Sequence, residues 1–196
     1  MGRIIAALAI SVDGYAEGSG GDLSVMPMDE AFNIHNAELI AAADRLIYGA
    51  DTYRMMVAHW PNVLDDPNAS DAERNIAQRC ADGIPIIVIS DSLTVDETGP
   101  WRQQTTIIRR SDAARELAEI RESDETAVIF GSQALIAALL ETGLLDQLSL
   151  MIGPKLVAGD RPVFTNTPAT ELTLRDVTRY PDSDNIVLDY DVVARA

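Results

Sequence analysis

Apolar and polar positions follow two rhythms along this chain. Short β-branched and aliphatic runs, bounded by glycine, proline or charged residues, predict buried strands at Arg3 to Ile10, Arg45 to Gly49, Ile84 to Ser90, Thr105 to Arg109, Thr126 to Phe130 and Gln147 to Ile152. Between them the apolar residues take helical spacing. Asp29 to Ala43 carries Phe32, Ile34, Leu39 and Ile40 at such positions, Thr52 can cap a helix through Ala58, and Ser111 caps another to about Glu122. A further helix begins at Ser132 and ends near Gly143, and Cys80 falls in a helical stretch. This alternation predicts an α/β fold, a mainly parallel sheet flanked by helices on both faces. The tail departs from it: Leu172 to Val177 and Ile186 to Val193 alternate apolar and polar around the turn-rich Tyr180 to Asn185, which predicts an antiparallel pair at a sheet edge. Polar stretches at Glu17 to Pro27 and Pro61 to Asp71 read as long loops of the kind that cover sites.

With 196 residues and 47% apolar content the chain can bury one good core, so a single domain over residues 1–196 is expected. No run reaches the roughly 20 apolar residues of a membrane helix, and the apolar start is interrupted by Asp13 and Gly14 without a clear cleavage site, so a cytoplasmic protein is expected. The formal net charge of −16, from 31 acidic and 15 basic residues, disfavours nucleic acid and anionic membranes as partners. Cys80, the single cysteine, has no neighbouring histidine to activate it and reads as structural. The two histidines and scattered carboxylates lack metal-ligand spacing, and no Gly-x-Ser-x-Gly elbow offers a serine nucleophile.

Candidate chemistry centres on Ala127 to Leu135, where a β-branched run breaks at Gly131 and passes directly into helix-forming residues. The glycine lets a ligand approach the backbone, Ser132 is a good N-cap, and the free N–H groups of a first helical turn suit a phosphate. Asp13, in Ser11-Val-Asp-Gly14, is either a turn former or a residue near substrate. Asp29 and Glu30 open a helix, where carboxylates complement the dipole or orient a substrate amide. His35, one turn on, is a candidate proton donor if it faces a cleft and a structural residue if it does not.

The order of Ser11-Val-Asp-Gly14, Ala43-Asp-Arg-Leu-Ile-Tyr-Gly49 leading to Thr52-Tyr53, Trp60-Pro61, Ile87-Val-Ile-Ser90, Gly131-Ser132, Gly143-Leu-Leu-Asp146 and Gly153-Pro154 with Gly159 to Phe164 resembles the dihydrofolate reductase-like superfamily. It is more closely similar to the reductase domain of bacterial riboflavin-biosynthesis deaminase-reductases and its stand-alone relatives. The resemblance implies a mixed, mainly parallel sheet and hydride transfer from NADPH or NADH to a small heterocycle, pterin-, pyrimidine- or riboflavin-precursor-like. It implies that Ala7 lines the nicotinamide pocket and that the Glu17 to Asp22 loop closes over it. Gly49 and Thr52, together with Gly131, Ser132 and Gln133, are implied to receive phosphates, and Ser90 to lie beside the adenosine ribose. Two residues depart from the pattern. The usual Gly-Arg-x-Thr is Gly49-Ala-Asp-Thr52, and the basic residue that often follows the third-strand serine is Asp91. A carboxylate roughly 4 Å from a 2′-phosphate costs about 1 kcal/mol when hydrated and about 4 at intermediate dielectric, whereas it can accept a hydrogen bond from a free ribose hydroxyl. Arg54, Arg109 and Arg110 restore positive charge if they face the site. No deaminase zinc motif precedes the domain, which points to a stand-alone paralogue, and relatives of this kind are often homodimers. A non-catalytic small-molecule or nucleotide binder on the same fold is the alternative that Ala50 and Asp91 suggest.

Overall fold

A computed structural model describes residues 2–94, 99–130, 133–165 and 167–193. Its elements are β1 (Arg3–Ser11), α1 (Glu30–Ala41), β2 (Arg45–Gly49), α2 (Ala50–Val63), α3 (Asp71–Ala81), β3 (Ile86–Ile89), β4 (Thr105–Ile108), α4 (Arg110–Glu122), β5 (Thr126–Phe130), α5 (Gln133–Thr142), β6 (Gln147–Gly153), β7 (Leu172–Arg179) and β8 (Ile186–Val192). The strands form one sheet in the order β4-β3-β2-β5-β1-β6-β8-β7. All pairs are parallel except β6 with β8 and β7 with β8, so the antiparallel part lies at one edge, as the alternating tail indicates.

The period-2 geometry of strands splits the core into two layers. Ile4, Ala6, Leu8 and Ile10 of β1 pack with Leu117 and Ile120 of α4 and Leu135, Ile136, Leu139 and Leu140 of α5. Ile5 and Ala7, pointing the other way, join Ile40 of α1, Tyr53 of α2 and Ile76 and Cys80 of α3. Burial on both faces explains why β1, β3 and β5 read as continuous apolar runs.

Three local expectations are corrected. Thr52 does not cap α2, which starts at Ala50 straight from β2 with Gly49 as its N-cap and no side-chain cap. The same helix runs past Ala58 and through Pro61 to Val63, the Asn62 side-chain amide donating to the Ala58 carbonyl at 2.8 Å. The expected loop from Pro61 to Asp71 is thereby shortened, and α3 follows from a capping box in which Ser70 and Glu73 exchange hydrogen bonds. Ser111 lies inside α4 rather than at its cap, because the Asp91 carboxylate accepts from the Arg110 amide at 3.1 Å and caps the helix from outside. At the far edge, β7 exposes Leu172, Leu174 and Val177, and its pairing with β8 shifts register between Leu174 and Asp176. By contrast β6, with Leu148, Leu150 and Met151 buried, lies inside the sheet between β1 and β8. No helix among the described residues is long and apolar enough to cross a membrane.

Candidate functional site

The two central strands send their chains to opposite sides. β1 leads to α1, which packs with the Ala7 layer, whereas β5 leads to α5, which packs with the Ile4 layer. The two strands pair from Arg3 opposite Thr126 to Ala7 opposite Phe130, after which β1 continues to Ser11 with β6 alone. The chains thus part at the carboxyl ends of β1 and β5, which makes this the crevice position at which parallel α/β sheets take ligands. Ala7 stands at its base, on a row that crosses the sheet through Phe130, Ala7, Ser149 and Asp189.

Gly49 and Thr52 lie beside this crevice, at the end of β2 and in the first turn of α2. With no side-chain cap on α2, its leading N–H groups are open to an anion. The carboxylate of Asp51 nearby is paired with Arg54 at 2.6 Å. One strand further out, Ser90 is buried and its hydroxyl oxygen accepts from the Leu93 amide at 3.0 Å and the Ser92 amide at 3.3 Å. Asp91 follows it, 3.7 Å from the Arg110 guanidinium, with the two side chains 57% and 78% exposed. Two of the three arginines considered for the phosphate region are thus each matched by a carboxylate. Gln133 opens the described part of α5, and Gly131 and Ser132 lie outside the described residues.

Asp13 sits past β1 in a web of donors. The buried Ser11 hydroxyl donates to it at 2.6 Å, and the Val157 and Ala158 amides donate at 3.1 and 2.9 Å. The Ser11 hydroxyl first, and then those amides, hold its carboxyl down to about 2. Ionised and saturated in this way, Asp13 anchors the 155–158 segment, in which Ala158 takes a left-handed φ of 49°. The Glu17 to Asp22 loop is tied two residues beyond this segment, since Asp160 accepts from the Ser19 hydroxyl and the Gly20 amide, both at 2.8 Å. Asp29 caps α1 through the Phe32 amide and accepts from Ser183 at 2.6 Å and Asn185 at 2.8 Å. Burial works to raise its pKa, and those bonds outweigh burial and leave it lowered.

His35 faces inward from α1 toward the floor row. Its Nε2 lies 2.9 Å from the Ser149 hydroxyl and its Nδ1 lies 3.3 Å from the Tyr180 hydroxyl, which in turn donates to Glu38 at 2.9 Å. Burial lowers the pKa of the imidazole, outweighing the opposing fields of Asp189 and Glu38. Burial and then Glu38 raise that of Tyr180. Sequence reasoning did not single out Ser149, Tyr180, Glu38 or Asp160, because their partners are brought together only by the folded sheet. His59 is exposed on α2, while Tyr53 is buried and bonded to Thr105 at 3.2 Å.

Comparison with known proteins finds the same fold elsewhere. A putative riboflavin biosynthesis protein from Shewanella sp. PV-4 superposes with a TM-score of 0.67 at 19% identity, covering 97% of this chain and 99% of that one. A pyrimidine reductase-like protein from Corynebacterium diphtheriae gives 0.67 at 19% identity, with 98% and 92% covered. Dihydrofolate reductase from Enterococcus faecalis, complexed with NADP(H), gives 0.59 at 13% identity, with 97% and 96% covered. At such identities these are likenesses of fold. The family described as the RibD C-terminal domain matches residues 3–188.

Proposed function

Because the chain belongs to the RibD C-terminal domain family, we propose that it is a nicotinamide-dependent reductase of a small heterocycle, pyrimidine-, pterin- or riboflavin-precursor-like. The observation that carries this reading is the parting of β1 and β5 past Ala7 and Phe130, flanked by the uncapped N-terminus of α2. The described residues fit the cofactor's diphosphate, because the α2 amides are free of any side-chain cap and dipole and N–H groups favour an anion there. Gly131, Ser132 and Gln133 are assigned to the second phosphate. The bound nicotinamide supplies the hydride, and the protein orients two rings, excludes water and manages one proton.

Ala7 forms the floor against which the rings stack, and Ser90 with Asp91 faces the adenosine ribose. Asp91 suits a free 2′-hydroxyl, which favours NADH over NADPH. Asp13 takes the orienting role, since a carboxyl held near 2 is no proton donor at neutral pH and its hydrogen bonds brace the segment just before Asp160, to which the Glu17 to Asp22 loop is tied. His35, neutral and buried beside the floor row, takes part in the proton movement. A second copy of the chain meets the exposed apolar side chains of β7, giving a cytoplasmic homodimer. Light scattering that returns the monomer mass at tens of micromolar would remove that part of the reading.

The test is a calorimetric titration of the purified chain with NADPH and NADH in parallel, at low and moderate salt. Micromolar binding of either supports the reductase, and binding of neither overturns it. A second reading, a non-catalytic binder of small molecules on this fold, is favoured by Ala50 and Asp91, which stand where the resemblance calls for basic residues, Asp91 being paired with Arg110 at 3.7 Å. It predicts ligand retention without consumption of either reduced nicotinamide.

A further inference from the structure

The polar cluster beneath α1 has a direction. Glu38 lies exposed on α1, where it lines an open groove of about 700 Å³ between α1 and α3. An ionised carboxylate only accepts, so the Tyr180 hydroxyl gives its hydrogen to Glu38 across 2.9 Å. The Tyr180 oxygen is then the acceptor for His35 Nδ1, 3.3 Å away, and that nitrogen carries the ring's proton. A neutral imidazole has one N–H, so Nε2 is bare and accepts from the Ser149 hydroxyl at 2.9 Å. Ser149 is 1% exposed and stands directly beside Ala7 in the β1–β6 register. The charged groups facing the ring are Glu38 on its own helix and Asp189 on β8, opposite Ser149.

We propose that Tyr180 and Glu38 are positioning residues that hold His35 as its Nδ1–H tautomer, so that Glu38, Tyr180, His35 and Ser149 form a proton wire from the α1–α3 groove to the strand floor beside Ala7. Its use in chemistry rests on the reductase reading above. Reduction of a C=N bond takes a hydride on carbon and a proton on nitrogen, the π electrons becoming the new N–H bond. In the charged wire Glu38 is protonated, and each hydrogen points inward. Ser149 passes its hydrogen to the basic atom of a heterocycle seated on Ala7 and takes one from His35 Nε2. His35 Nδ1 takes one from Tyr180, and Tyr180 takes one from Glu38. The substrate gains one proton and Glu38 loses one. Every donor then points back toward Glu38, which is the polarity the hydrogen bonds show, so the structure displays the discharged wire. Solvent reprotonates Glu38 through the groove.

Nitrogen NMR of the full chain labelled with ¹⁵N-histidine tests this without any nucleotide, so a failure here is separate from a failure to bind nicotinamide. The chain has two histidines, and exposed His59 serves as the internal reference. At pH 7.5 His35 should show a protonated Nδ1 and a bare Nε2. Tyr180→Phe should lower the Nδ1–H to Nε2–H ratio by about 2- to 12-fold, the worth of one neutral hydrogen bond, while His59 stays unmoved. Glu38→Gln, an exposed change that preserves folding, should lower the ratio less and lower the His35 titration midpoint. A predominant Nε2–H tautomer in the substrate-free wild type, the reverse of the discharged wire that the hydrogen bonds show, or a ratio untouched by both variants, overturns the proposal. If Tyr180→Phe does not fold, Glu38→Gln alone decides in the same way.

Discussion

Replacing Asp91 by Asn isolates what its charge does. The amide oxygen of Asn can still accept from the Arg110 N–H, so the α4 cap survives while the negative charge beside the proposed ribose site is lost. Bare Coulomb arithmetic at roughly 4 Å spans about 1 to 4 kcal/mol, or about 5- to 1,000-fold in affinity for a 2′-phosphate. The structure selects the low end. Asp91 is 57% exposed, Arg110 is 78% exposed, and the pair stands 3.7 Å apart, so water and a counter-charge already screen the carboxylate. We expect NADPH to gain about 2- to 5-fold in affinity on Asp91→Asn, and more at low salt than at moderate salt because the Debye length shrinks from about 30 Å at 0.01 M to about 10 Å at 0.1 M. NADH should weaken about 2-fold as a charged acceptor for the ribose hydroxyl becomes a neutral one. Parallel calorimetric titrations of both nucleotides measure the ratio. Equal shifts for the two nucleotides, or no salt dependence in the ratio, would refute the placement of Asp91 at the 2′-position. Asp91→Ala serves as the control for folding: it removes the cap as well and should cost about 0.5–2 kcal/mol of stability, which Asp91→Asn should not.

His35 makes acid unfavourable to the fold. Its pKa is lowered in the folded chain from 6.5 by burial, so its stabilising contribution is complete above that value and is lost as pH falls through the folded pKa. Urea unfolding at pH 7.5 and 5.0 should show a loss of stability that His35→Gln reduces; identical losses in both proteins would contradict it. Burial pushes the Cys80 thiol up to about 12, so Ellman's reagent at pH 8 should react only after denaturation, and prompt labelling of the native protein would show the site to be open. At Gly159 an added Cβ would collide with the Glu17 carbonyl oxygen and stand 2.9 Å from the Tyr15 ring. Gly159→Ala should therefore cost about 1–3 kcal/mol and raise proteolysis between Glu17 and Asp22, whereas an unchanged digestion pattern would mean that the contact does not hold that loop.

Much of the scaffold was legible because local pattern and global role agree. The runs Arg45 to Gly49 and Thr126 to Phe130 are strands from end to end, being apolar on both faces and framed by polar residues. The antiparallel edge followed from alternation after Leu172 and the turn residues near Pro181. Helix ends were harder wherever the deciding partner is distant. Ser111 looks like a cap, but Asp91 supplies it from nineteen positions away. Trp60-Pro61 looks like a stop, yet Pro61 falls in a last turn whose Ala58 carbonyl is taken by Asn62. The start of α3, in contrast, is written locally as Ser70-x-x-Glu73. At the site, helical position alone left both readings of His35 open. Its partners Ser149 and Tyr180 lie 114 and 145 positions further on, and the registers of β6 with β1 and β8 and of β8 with β7 bring them beneath α1.

The irregularity in β7 bears on how this sheet ends. An outermost strand with unpaired backbone groups and exposed Leu172, Leu174 and Val177 is a template on which further strands can add, copy after copy. The shift between Leu174 and Asp176 twists that template out of register midway, beside the charges of Arg175 and Asp176. At this edge a second chain is then favoured to meet this one through side chains rather than by lengthening the ladder, and the bulge counts among the devices that keep a sheet from growing strand by strand.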